Sequence, residues 1–165
     1  MNQNFKPQFN GVVILVDNIT NSKKFYVDIL HQEIEMDFGR CVTFSSGFSI
    51  WSKEYALMMM QIDTTHNQSC SPENFELYFE INSIDSFFEY IKKKKVDFLH
   101  GLKEQPWGQC CFRLYDPDKH IIEFAETMDA VIRRLHIDGC SEEMIIKKTM
   151  MPKKHVQMVI NEIST

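Results

Sequence analysis

No apolar run in this chain approaches the roughly 20 residues that a membrane helix needs. Its first residues, Met1 to Lys6, lack the apolar stretch of a secretory signal. Cysteine is scarce and badly spaced for a metal: five in 165 residues, an odd number, with no pair at ligand spacing. Cys110 and Cys111 are neighbours, and neighbours in a strand point to opposite faces. Reduced thiols and a cytoplasmic location are therefore expected. Positive charge is also short. Lys and Arg number 18 against 23 Asp and Glu, a net charge of −5, which speaks against non-specific nucleic-acid binding. There is no glycine-rich phosphate loop and no Ser, His and Asp order of a nucleophilic triad. His31, His66, His100, His120, His136 and His155 are dispersed, with no ligand-spaced pair in one element.

What is present is a repeat of order. The chain is long enough to bury a core, and 44% hydrophobic and 25% charged residues are ordinary for a globular protein. In the first half, Gly11 to Val16 reads as a strand covered on both faces. Asn18 or Thr20 can cap a helix running to about Leu30, with Ile19, Phe25, Ile29 and Leu30 on one side. Short strands follow at Ile34 to Asp37, Cys41 to Ser45 and Phe48 to Trp51, with turns at Gly39 and Gly47. In the second half, Phe75 to Ile81 alternates as a strand does, and Ile84 to Lys94 carries a helical stripe of Ile84, Phe87, Phe88 and Ile91. Strands return at Asp97 to Gly101, Gln109 to Tyr115 and His120 to Ala125. Both halves read β-α-β-β-β.

Leu57 to Ile62 fits either helix or strand, and its three methionines suit a core or a subunit interface. Asp63 to Glu73 is polar and reads as a surface linker. After Glu126 the pattern turns helical: Met128 to Ile137, then a helix capped by Ser141, then one opened by Pro152. That order resembles a helix-turn-helix unit. Its charges are balanced, however, whereas a DNA reader concentrates positive charge on one face. An appendage that covers the sheet or joins subunits is the simpler use.

The most informative stretch is Gln105 to Phe124. Asp116-Pro117-Asp118 punctuates two strands, because Pro presets φ and the Asp side chains bond the turn backbone. Glu123 then interrupts the apolar run Ile121-Ile122-Glu123-Phe124, a costly place for an acid unless it meets water, a cation or a ligand. Pro106-Trp107-Gly108 followed by Asp116-Pro117-Asp118, an aliphatic pair and Glu123 resembles the last hairpin of the glyoxalase and bleomycin-resistance families, the vicinal oxygen chelate superfamily. The opening Val12 to Asn18, with Phe25-Tyr26 and Ile29-Leu30, is similar to that superfamily's first strand and helix.

The resemblance implies an α+β fold of two paired βαβββ modules curled as a mixed sheet around a cup. The domain would span 9–126, in modules of about 9–62 and 74–126, with a helical appendage at 127–165. Strand alternation places Glu76, Tyr78 and Glu80 on one face, opposite Leu77, Phe79 and Ile81. Metal-dependent relatives carry His, Gln or Glu at four positions that read here as Gly11, Trp51, Glu76 and Glu123. Gly11 offers no side chain and Trp51 only an N–H donor. Two carboxylates hold a hard divalent cation weakly, so Glu76 and Glu123 are metal ligands only if a metal is present, and no cofactor is firmly expected.

Without a metal, the two acids can act as a general acid and base, or hold an organic cation beside Trp51 and Tyr78. Arg113 can anchor a carboxylate or pair with an acid, and Trp107 belongs to a loop closing the cavity mouth or to the packing. The expectation is a small-molecule-binding protein, homodimeric, with no membrane or nucleic-acid partner. A metal-dependent lyase, isomerase or dioxygenase is the alternative, and a ligand-responsive regulator acting through the tail is the second. Whether the protein catalyses stays open.

Overall fold

A computed structural model describes residues 9–61 and 75–163. The chain divides into two compact units, residues 1–70 and 71–165. Each contains one βαβββ module, giving the α+β class expected from the repeat.

The first unit opens with β1 (Val12–Val16). Helix α1 (Ile19–Lys24) follows, and it is Asn18 rather than Thr20 that caps it, its Oδ1 accepting from the Asn21 N–H at 3.0 Å. The helix then widens into a π-type turn over Phe25–Ile29, closed by Leu30 N–H donating to the Phe25 carbonyl at 3.2 Å. That widening turns Phe25, Tyr26 and Leu30 inward together, and all three are buried. Strands β2 (Ile34–Asp37), β3 (Cys41–Phe44) and β4 (Phe48–Ser52) complete a sheet in the order β1-β4-β3-β2. β1 runs parallel to β4 and the other pairs are antiparallel. Tyr26, fully buried, packs its ring 5.5 Å from Phe44 and 5.1 Å from Phe48.

The ambiguous methionine stretch is helical. α2 covers Lys53–Met59, starting directly from β4. Met58, Met59 and Met60 are all exposed in this chain, so they do not fill its core. Ile62, His66 and the expected linker Asp63 to Glu73 lie outside the described residues.

The second unit contains β5 (Glu76–Ile81), α3 (Ile84–Lys92), β6 (Asp97–Glu104), β7 (Cys110–Tyr115) and β8 (Ile121–Glu126), in the sheet order β5-β8-β7-β6. β6 continues three residues past Gly101, because register shifts between Phe98 and Lys103 let it stay paired with β7. α3 packs its stripe on the sheet, with Phe87 4.9 Å from Phe124 and Phe88 5.0 Å from Phe112 between ring centroids.

Helices α4 (Met128–Ile137), α5 (Glu142–Thr149) and α6 (Lys153–Ile163) form the tail. Thr127 and Ser141 cap the first two. Val131, Ile132, Leu135, Ile145, Val156 and Val159 close a buried core among them. Two cations tie the tail to its module: Lys148 reaches Glu104 at 2.6 Å, and Arg134 reaches Glu126 at 2.9 Å. Among the described residues, no helix is long and apolar enough to cross a membrane.

Candidate functional site

The site follows from the register of the second sheet. β5 and β8 pair Tyr78 with Glu123, and β7 and β8 pair Arg113 with Glu123. Cross-strand partners share a face. Leu77, Ile122 and Phe124 are buried on the helix side, so Glu76, Tyr78, Arg113 and Glu123 stand together on the other. The two sides differ in exposure. Tyr78 is half exposed, whereas Glu123, at mid-sheet, keeps only 7% of its side chain accessible.

Arg113 is the centre of this face. Its Nε donates to a Glu76 carboxylate oxygen at 2.8 Å, and one terminal nitrogen donates to Glu123. The other terminal nitrogen lies 3.1 Å from His100 Nε2. His100 Nδ1 is 2.8 Å from the Gly101 carbonyl, and both contacts are satisfied together when Nδ1 carries the proton and Nε2 accepts. The guanidinium is thus held from three sides. Hydrogen bonding to Arg113 draws the Glu76 carboxyl below the usual carboxylate range. Burial raises that of Glu123, with the Arg113 charge opposing and the Glu76 charge adding to the rise.

A second network lies beside this face. The Trp107 indole donates to Gln109 at 2.9 Å. The Gln109 amide donates to the Tyr78 hydroxyl at 3.0 Å and to the Glu126 carbonyl at 2.7 Å, and Tyr78 donates onward to Glu80 at 2.9 Å. Burial pushes the Tyr78 phenol up to about 12. Below it, the buried Glu126 carboxylate accepts from the Cys110 N–H at 2.9 Å and from Arg134. Arg134 also donates to the Gly108 carbonyl at 2.6 Å. A tail helix therefore braces the loop that carries Trp107.

Trp51 belongs to the first unit, where it lies beside Tyr55 at 6.0 Å between ring centroids. Gly11 has φ +151°, and a Cβ there would come within 2.5 Å of the Gly47 carbonyl oxygen, so no ligand-bearing side chain fits. If Gly11 is the counterpart of Glu76, the β1–β4 register puts Ser49, not Trp51, in the place of Glu123. Counting from the closing turns instead, where Gly47 and Lys119 both take positive φ, gives Trp51. The Ser49 hydroxyl is hydrogen-bonded to Thr43 at 3.0 Å, and Trp51 carries only an N–H donor.

Taken by itself, the second unit offers a metal two carboxylates, fewer than the three protein ligands of a catalytic transition-metal site. The Arg113 guanidinium contacts both Glu76 and Glu123, whose carboxyl groups also lie within hydrogen-bonding reach of each other. Among the described residues, no group of three His, Cys, Asp or Glu side chains could hold a metal ion.

His120, in the turn before β8, keeps only 12% of its side chain accessible and bonds Asp116 at 2.9 Å. Asp116 is buried and also accepts from the backbone of Asp118 and His120, which is why the Asp-Pro-Asp turn is so tight. Sequence reasoning missed Gln109, Glu126 and Arg134. The signal for Glu126 was there: an acid ending an apolar strand, with an arginine two turns into the next helix.

Two βαβββ modules with matching strand orders define the class to which this fold belongs. The family model for the glyoxalase-like domain matches residues 9–129, and the chain belongs to that family. A solved protein of unknown function from Agrobacterium tumefaciens is similar at 35% identity and TM-score 0.67, with 75% of this chain and 98% of that one covered. A glyoxalase/bleomycin resistance protein/dioxygenase from Nocardioides shares the fold at 14% identity and TM-score 0.61, covering 76% and 86%. A lactoylglutathione lyase from Agrobacterium tumefaciens does so at 15% identity and TM-score 0.57, covering 73% and 95%. Among curated proteins none matches. The family match ends within α4, so most of the tail lies beyond it.

Proposed function

We propose that this protein binds a small organic ligand on the Glu76–Arg113–Glu123 face without a tightly held metal. The observation that carries the proposal is Arg113, whose guanidinium bridges the two carboxylates that a metal would need. Glu76, Glu80 and Glu123 outnumber the one arginine among them, which favours a ligand carrying an amine or another hydrogen-bond donor. Tyr78, half exposed beside them, offers a ring face for stacking or cation–π contact. Trp107, also partly exposed and steadied by Gln109, forms the rim.

The test is calorimetry with a panel of aromatic amines, matched to neutral analogues, with and without a chelator. Saturable amine binding that ignores the chelator and is lost in Glu76→Gln supports the proposal. Binding that requires an added divalent cation overturns it and favours a metal-dependent lyase, isomerase or dioxygenase.

A homodimer in the cytoplasm belongs to the same proposal. Val12, Val13, Ile34 and Met36 leave apolar side chains about two-fifths exposed along the first sheet, and burying them would be favourable. A solution mass near 19.5 kDa at micromolar concentration would count against it.

A further inference from the structure

The first unit holds a cavity of about 330 Å³ that the proposal above does not use. Phe38, Arg40, Cys41, Trp51 and Tyr55 line it. The local chain path brings them together. β4 runs straight into α2, which sets the Tyr55 ring of the helix beside the Trp51 ring of the strand, with ring planes inclined at 37°. Across the sheet, Cys41 pairs with Trp51, and the Ser52 N–H donates to the Arg40 carbonyl at 2.8 Å. Arg40 is thereby fixed at the end of β3, with its guanidinium carbon 5.7 Å from the centre of the Tyr55 ring.

Arg40 differs from the other arginines of the chain. Arg113, Arg133 and Arg134 each hold a carboxylate, whereas Arg40 holds none among the described residues. The neighbouring acid, Asp37, is already engaged by Lys23 at 2.9 Å and by the Gly39 N–H at 2.8 Å. The Trp51 indole N–H and the Tyr55 hydroxyl likewise have no hydrogen-bond partner among the described residues. A planar cation whose donor fork meets no carboxylate among the described residues therefore stands at the edge of an aromatic cavity large enough for a two-ring molecule.

We infer that this cavity binds a planar aromatic carboxylate, with its ring against the wall formed by Trp51, Tyr55 and Phe38 and its carboxylate on Arg40. A guanidinium fork matches a carboxylate in two parallel hydrogen bonds, which an amide or an amine cannot reproduce. The ring faces supply stacking that a non-aromatic acid lacks. This site shares no residue with the Glu76–Arg113–Glu123 face and selects the opposite ligand charge, so either can fail while the other stands.

The test is titration calorimetry of the full chain with 2-naphthoate, 2-naphthamide and 2-naphthylmethylammonium. The expected order is saturable binding of the naphthoate alone, weakened about 10-fold or more by Arg40→Gln. In the Trp107→Phe variant, leaving Trp51 as the sole tryptophan, its emission should respond to the naphthoate with the same midpoint. Arg40→Lys keeps the charge but loses the fork, and should recover only part of the affinity. Equal affinity for the amide, full affinity in a folded Arg40→Gln protein, or no saturable binding would each overturn the inference.

Discussion

Replacing Arg113 by Met removes the guanidinium but keeps much of its aliphatic bulk. Glu123 would then lie nearly buried, 7% accessible, with Glu76 as its close acidic neighbour and no cation between them. Breaking a buried pair by deleting one partner costs about 3–5 kcal/mol when burial is complete. Arg113 is a quarter accessible and Glu76 more than a third, so solvent screens part of that charge. A loss of about 2–3 kcal/mol follows, equivalent to roughly 4–12 °C in melting temperature for a chain of this size. The loss should depend on pH with a definite sign. Glu76 has a depressed pKa in the folded protein, so its stabilisation exists above the ordinary carboxylate range and disappears as pH falls. Glu123 has a raised one, so without Arg113 the fold is penalised increasingly as pH rises and the acid must ionise. Both effects make the variant's deficit largest near pH 7–8 and smallest near pH 4. Urea unfolding of both proteins across that range measures it. Adding Glu123→Gln to the variant should recover part of the loss at neutral pH. A deficit below about 0.5 kcal/mol, or one that is flat with pH, would refute the reasoning.

The backbone at Gly11 makes Gly11→Ala costly, about 1–3 kcal/mol, because positive φ and the Gly47 carbonyl both oppose a Cβ; a thermal melt unchanged within a degree would contradict this. Arg134→Gln should lower stability by about 2–3 kcal/mol by leaving Glu126 buried without its cation, and should also change Trp107 emission, since Arg134 holds the Gly108 carbonyl. A stability loss with unaltered Trp107 emission would show that the brace does not reach the loop. Cys110 has its thiol pushed up to about 11, first by burial and then by Glu126, so native protein at pH 8 should alkylate there far more slowly than unfolded protein. Equal rates would place Cys110 in a different environment.

The fold was legible because each module states it locally. Alternation in Glu76–Ile81, the Ile84, Phe87, Phe88 and Ile91 stripe and the Asp116-Pro117-Asp118 turn each depend on near neighbours, and the caps at Asn18 and Ser141 sit where their side chains require. Elements set by tertiary pairing were harder to read. Nothing in Gly101 to Glu104 announces that β6 continues, because its register shifts exist only against β7. Lys53–Met59 lacks a capping side-chain bond and has exposed methionines, so its helical state showed no buried stripe to recognise. The face shared by Glu76, Tyr78, Arg113 and Glu123 follows from period-two counting, but what joins them does not. Alternation leaves Arg113 free to meet a ligand acid or a protein acid; only the three-dimensional placement of Glu76 and His100 shows that the protein supplies both carboxylates. Arg40 and Tyr55 went unremarked because the contact between them joins the end of a hairpin to a helix that the pattern did not reveal.

Elemental analysis of the native protein, purified without chelator and then equilibrated with nickel, zinc, iron and manganese in turn, tests most directly whether Arg113 holds the place of a metal. Substoichiometric metal throughout, with no saturable uptake, is the result expected if the guanidinium fills that position. One tightly bound transition metal per chain would contradict it, since Arg113 could not then bridge Glu76 and Glu123.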